Sequence, residues 1–155
     1  MKGLEAVLEK VPLFADLEPQ YLELLAGCAS NVKFEAGESI YREGDPADRF
    51  WVVRHGRVAL DMYVPQRGPV TIQTLVEGDL LGWSWLVPPY QRNLGAHAQV
   101  LTRAVAFDAA CLRGKCAEDP RLGFLMMQKF ASLMVKTLKA TQLQLMDIYG
   151  HPSHD

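Results

Sequence analysis

Gly44-Asp45-Pro46-Ala47-Asp48-Arg49-Phe50-Trp51-Val52-Val53, followed by Gly56-Arg57-Val58, is the stretch that decides the fold class. Gly44-Asp45-Pro46 supplies a tight reversal, because glycine reaches positive φ and proline fixes its own φ. Phe50-Trp51-Val52-Val53 is a short run of aromatic and β-branched residues, the composition of a strand. His55-Gly56 turns the chain again, and Val58-Ala59-Leu60-Asp61-Met62-Tyr63 reads as the next strand.

The same rhythm continues outward. Ser39-Ile40-Tyr41 precedes the stretch, Val70 to Leu75 and Ala96 to Phe107 follow it, and all read as strands. Ala36-Gly37, Gly68-Pro69 and Glu77-Gly78-Asp79 are turn signals between them. Many short strands at close spacing predict a β-sandwich or barrel.

Helical patterns flank this β region. Leu4 to Val11 is one, and Pro19 to about Cys28 is a second, with proline at the first helical position. A third opens at Asp119-Pro120, an N-cap followed by proline, and ends at Tyr149-Gly150. Its length of about 29 residues corresponds to roughly 44 Å. Phe124, Met127, Ala131, Met134, Leu138, Thr141, Leu145 and Ile148 are spaced by alternating threes and fours, which is a coiled-coil seam. A second apolar set, Leu125, Leu133, Val135, Leu143 and Met146, is available to dock the helix on its own β-region. Two apolar faces predict a homodimer through residues 120–148.

The sequence of 155 residues has the length of one domain, and its 49% hydrophobic content furnishes a core. A net charge of −2 leaves no electrostatic footprint for nucleic acid. No apolar h-region opens the chain and no run reaches membrane-spanning length, so no membrane association and a cytoplasmic location are expected. Cys28, Cys111 and Cys116 cannot all pair within one chain, which favours a reducing compartment. Cys111 and Cys116 straddle Gly114 in a short helix or turn, where ordinary, partly buried thiols are expected ahead of a redox role.

The central stretch, with Leu13 to Leu17, Phe34 to Ile40 and Glu77-Gly78-Asp79-Leu80-Leu81-Gly82, resembles the cyclic-nucleotide-binding domains of the catabolite activator (cAMP receptor protein) family. The resemblance spans nearly the whole chain. It implies a mainly β fold with flanking helices: a β jelly roll, or double-stranded β-helix, with N-terminal helices and a long C-terminal dimerisation helix. The expected boundaries in a single domain are 1–30 for the N-terminal helices, 31–107 for the jelly roll and 108–149 for the C-terminal helices. A transcription factor of the family continues into a helix-turn-helix module. Here only His151 to Asp155, read as a frayed terminus, follow the helix, so direct DNA binding is not expected.

The resemblance also places a ligand cassette. In the family a glycine precedes a glutamate that accepts the ribose 2′-hydroxyl, and ten positions after the glycine an arginine pairs with the cyclic phosphate. Gly82 and Arg92 match those positions, and Trp83 stands in place of the glutamate. An indole nitrogen only donates, so Trp83 does not replace the carboxylate as acceptor. Losing a charged hydrogen bond lowers the expected affinity for cAMP and cGMP by roughly one to two decades. Arg92 keeps the planar fork that suits an anion, while Gln91 and Asn93-Leu94 depart from the family pattern.

The candidate ligand residues are therefore Gly82, Trp83, Ser84, Trp85, Arg92, Asn93 and, because this helix reaches the ligand in the family, Thr141. Thr141 has a second reading, in which its hydroxyl bonds a carbonyl one turn back. Trp83 and Trp85 share a face if the segment is extended, and then either stack a planar ligand or fill the pocket.

Catalytic and metal sites are not expected. Gly82-Trp83-Ser84-Trp85-Leu86 begins like a nucleophile elbow but ends in leucine where glycine is required. His55 sits in a turn and His97 stands alone in a strand. Two functions remain open: a sensor module for a cyclic nucleotide or another small anionic ligand, and a ligand-free scaffold whose pocket the tryptophans close.

Overall fold

A computed structural model describes residues 2–150, with side chains from Leu4 to Tyr149; the tail His151 to Asp155 lies outside the described residues. The chain divides into two units, Met1–Lys115 and Cys116–Asp155.

The first unit begins with two helices, α1 (Lys2–Glu9) and α2 (Pro19–Ala26). Eight strands follow: β1 (Ala29–Phe34), β2 (Ser39–Tyr41), β3 (Arg49–His55), β4 (Val58–Val64), β5 (Gly68–Leu75), β6 (Leu80–Leu81), β7 (Gly95–Ala98) and β8 (Thr102–Asp108). They form two antiparallel sheets, one ordered β1-β8-β3-β6 and the other β2-β7-β4-β5. This is the jelly-roll architecture with flanking helices. The strand segment expected from Ala96 to Phe107 is two strands in different sheets, with the chain crossing from one sheet to the other between Ala98 and Thr102.

β3 is buried on both sides, with Phe50, Trp51, Val52 and Val53 all at 6% exposure or less. That explains its unbroken apolar run, since a strand covered on both faces needs no alternation. Trp51 and Val53 face the space between the sheets, where they join Val58, Leu60, Leu75, Leu81, Ala96, Ala104 and Ala106. Phe50 projects the other way, as neighbouring side chains on a strand must. Its ring stacks on that of Phe107 at 4.6 Å, and Phe107 meets Phe14 edge-on at 5.7 Å. Leu8, Phe14 and Leu25 of the N-terminal segment are fully buried. Burying each of these large side chains contributes about 1.5–3 kcal/mol.

Helix α3 (Ala109–Glu118) starts directly after β8, with the Asp108 carboxylate accepting from the Cys111 amide at 2.9 Å as its cap.

The cysteine expectation is corrected. Cys28 and Cys111 form a disulfide with a Cα–Cα distance of 5.7 Å, and Cys116 is the free thiol. The pair is 83 residues apart, so spacing gave no signal. Antiparallel pairing of β1 with β8 sets Ala29 opposite Phe107, and the Asp108 amide donates to the Cys28 carbonyl at 2.9 Å. Cys111, in the first turn of α3, is thereby brought over Cys28.

The second unit is chiefly α4 (Pro120–Gly150), a helix of 31 residues. Asp119 caps it, its carboxylate accepting from the amides of Arg121 and Leu122 at 3.1 and 3.3 Å. The buried apolar residues of α4 are Leu122, Met126 and Phe130, at helical steps of four. None of them belongs to the set expected to dock the helix. Of that expected set, Val135, Leu143 and Met146 are more than half exposed. The seam residues Phe124, Met127, Leu138, Leu145 and Ile148 are between 49% and 69% exposed.

Candidate ligand cassette

The cassette is built on a turn anchored to β3. In Glu77-Gly78-Asp79 the Asp79 carboxylate accepts from the Val76 amide at 2.8 Å, and the Gly78 and Asp79 backbone exchanges bonds with Val53. The two residues of β6 pair with Trp51 and Val52. Gly82 then adopts φ 86°, a left-handed conformation suited to glycine, and the chain enters a 3₁₀ turn, Trp83–Leu86. The segment is therefore not extended, and Trp83 and Trp85 do not share a strand face.

Trp85 is 1% exposed and stacks on Phe50 at 4.9 Å. Because Phe50 faces away from the intersheet space, Trp85 packs on the outer side of the β1-β8-β3-β6 sheet. Of the two tryptophans considered for the pocket, this one does not occupy the interior. Trp83 and Ser84 are half-buried.

The return leg, Tyr90 to Arg92, is zipped to the Gly44 to Ala47 turn. Ala47 donates to the Tyr90 carbonyl at 2.7 Å, Arg92 to the Asp45 carbonyl at 2.8 Å, and Gly44 to the Arg92 carbonyl at 2.8 Å. The Gly44-Asp45-Pro46 turn is thus the backbone anchor for Arg92.

Arg92 is 3% exposed. Its guanidinium lies 4.3 Å above the Tyr41 ring and 5.3 Å from that of Trp51, and these two rings stack at 5.8 Å. Trp51 belongs to the intersheet cluster and Tyr41 packs against it, so Arg92 points into the roll. Nη2 donates to the Arg49 carbonyl, whereas Nε and Nη1 have no hydrogen-bond partner among the described residues. Burial pulls the guanidinium below its ordinary pKa, while Tyr41, Asp48 and Asp45 push it back up. Burial also pushes the Tyr41 phenol up to about 12, against the lowering field of Arg92.

Two buried nitrogens of a cation with no acceptor among the described residues are costly. A small anion brought to Nη1 would supply an acceptor that the fold itself does not provide there.

Asn93 is exposed beside Arg92. Thr141 is exposed on α4 and donates to the Thr137 carbonyl at 3.0 Å, the bond one turn back. His97 is not alone: its Nδ1 is 2.7 Å from the Asp61 carboxylate, which also accepts from the Thr71 hydroxyl at 2.9 Å.

Three residues around the cassette had no sequence signal of their own. Tyr41 and Trp51 read only as strand residues, and their role as a platform under Arg92 follows from how the sheets face each other. Arg113 of α3 donates from Nη1 to the Trp85 carbonyl at 2.7 Å and lies 4.6 Å above the Tyr90 ring. Tyr90 itself holds φ 56°, an uncommon conformation for a non-glycine residue.

The model of the cyclic nucleotide-binding domain family matches residues 31–119. The chain belongs to that family. A CRP-like cAMP-activated global transcriptional regulator of Mycobacterium tuberculosis is 23% identical over 145 residues, covering 94% of this chain and 63% of the regulator. The chain thus spans less than two thirds of the length of that relative. Among solved structures, the N-terminal domain of a transcriptional regulator from Streptomyces coelicolor A3(2) is 27% identical with a TM-score of 0.70, over 87% of this chain and 94% of that one. A cyclic nucleotide-binding domain from Methylobacillus flagellatus KT is 18% identical with a TM-score of 0.80, over 99% and 85% of the two chains, and shows the shared fold. In this member of the family Gly82 and Arg92 meet in the fold, and tryptophan stands at position 83.

Proposed function

We propose that this chain is a regulatory sensor module that binds a small anionic ligand, of the cyclic nucleotide type, through Arg92, and that it performs no catalysis. The observation that carries the reading is the buried guanidinium whose Nε and Nη1 have no acceptor among the described residues. Arg92 is the cassette's anion fork, Gly82 is the residue that lets the fork approach the backbone, and Tyr41 is the ring that supports it. The cAMP activation of the Mycobacterium relative supports a cyclic nucleotide as the first ligand to test. Trp83 brings no acceptor for a ribose hydroxyl, so anion contact rather than ribose contact dominates the affinity. The exposed seam of α4 supports a homodimer as the form that signals.

The test is calorimetric titration with cAMP, cGMP and inorganic phosphate, following tryptophan fluorescence in parallel. Binding of a cyclic nucleotide in the micromolar range, weakened about ten-fold or more in a folded Arg92→Lys variant, is expected, because lysine keeps the charge and loses the fork. Absence of binding up to millimolar concentration overturns the reading and leaves the scaffold function.

A further inference from the structure

The disulfide and the cassette share one helix. Cys111 and Arg113 are two residues apart on α3, so they project about 200° from each other around its axis. On one side Cys111 is bonded to Cys28, at the junction of α2 and β1. On the other side Arg113 holds the Trp85 carbonyl and covers the Tyr90 ring, gripping the cassette at its 3₁₀ turn and at its return leg. The buried residues of α3 are Ala109 and Leu112, so apolar packing secures this helix weakly and its two lateral links fix its rotation. The backbone at its start is held as well, with the Ala109 amide donating to the Asp48 carbonyl at 3.0 Å.

We propose that Cys28 and Cys111 are a thiol–disulfide exchange site for small dithiols, and that its state sets how firmly α3 grips the cassette. Cys28 is 8% exposed and Cys111 is half-buried, which makes the Cys111 sulfur the point of attack. A thiolate of the dithiol bonds to Cys111 Sγ, the Cys28–Cys111 bond breaks, and its electron pair leaves on Cys28 Sγ, which takes a proton. The second thiol of the reductant then loses its proton and attacks the mixed disulfide. Cys111 departs as a thiolate that is protonated, and the dithiol closes into a cyclic disulfide. The protein gains two electrons and two protons, and the dithiol loses as many. With one link gone, α3 is free to roll, and the Arg113 bond to Trp85 loosens.

The functional meaning of that loosening rests on the sensor reading above, but the switch is read without ligand. The full chain is isolated in air, treated with dithiothreitol or its oxidised form, alkylated, and analysed by mass spectrometry together with amide hydrogen exchange. Cys28 and Cys111 should resist alkylation as isolated, accept it after dithiothreitol, and resist it again after oxidation. Exchange in residues 83–92 should accelerate on the order of ten-fold on reduction, while β3 and β8 stay protected. Arg113→Gln in the oxidised protein should accelerate the same amides without altering the cysteines. Free thiols in the oxidised sample overturn the site. Unchanged exchange at 83–92 on reduction overturns the coupling, as does loss of protection across β3 and β8, which would make the bond a structural staple. A failed nucleotide titration bears on Arg92 and leaves these readouts untouched.

Discussion

A Cβ built on Gly82 would lie 2.7 Å from Nη1 of Arg92, so the residue that opens the cassette and the residue that closes it are in direct contact. The nine residues between them loop out through the 3₁₀ turn and the prolines, and the guanidinium returns to pack on the glycine. Glycine serves twice here, because φ is 86° and because the same Cβ would come 3.3 Å from the Trp51 ring.

Gly82→Ala should therefore act on stability and on the site together. A left-handed non-glycine residue costs about 1–2 kcal/mol, and displacing the guanidinium adds to it. A loss of about 2 kcal/mol or more in urea unfolding is expected, with weaker anion binding in the fraction that remains folded. Unchanged stability would show that Arg92 moves aside without cost.

Tyr41 gives a pH dependence with a definite sign. Its phenol ionises near 12 in the fold and near 10 when unfolded, so the fold is favoured by the neutral ring. That contribution is complete below pH 10 and disappears as pH rises toward 12. Two units correspond to on the order of 2–3 kcal/mol. Unfolding of the parent between pH 9 and about 12 should lose stability more steeply than that of Tyr41→Phe, which has no proton to release. Parallel curves for the two proteins would mean that the ring is solvated in solution.

The seam on α4 predicts an assembly state. Leu138 is 57% exposed at the centre of a stripe in which Phe124, Met127, Leu145 and Ile148 are also exposed. Sedimentation at micromolar concentration should give a dimer for the parent and a monomer for Leu138→Lys, since a lysine in a packed seam buries a charge. A parent that sediments as a monomer removes the homodimer from the mechanism.

Much of the fold was legible in the chain. Gly44-Asp45-Pro46, His55-Gly56 and Glu77-Gly78-Asp79 marked turns because φ restrictions act locally. Asp119-Pro120 marked the start of α4 for the same reason. The cassette was legible in position but not in arrangement. The extended form considered for Trp83 to Trp85 gave way to a 3₁₀ turn, because Trp85 finds its partner in Phe50, some thirty-five residues upstream. Nothing near Leu122, Met126 and Phe130 distinguished them from the other apolar positions of an almost wholly amphipathic helix.

The sequence by itself determined the order of turns and strands, the start of the long helix, and the presence of an arginine fork without a carboxylate beside the glycine. These depend on backbone restrictions and on side-chain chemistry that each residue carries anywhere. Tertiary structure alone decided which aromatic rings face the interior, that Cys28 and Cys111 meet, that Arg113 grips the Trp83 to Tyr90 segment, and that Arg92 is buried with two guanidinium nitrogens lacking an acceptor among the described residues. These are relations between residues distant in the chain, fixed by the pairing of β1, β3 and β8 and by the way two sheets close on each other.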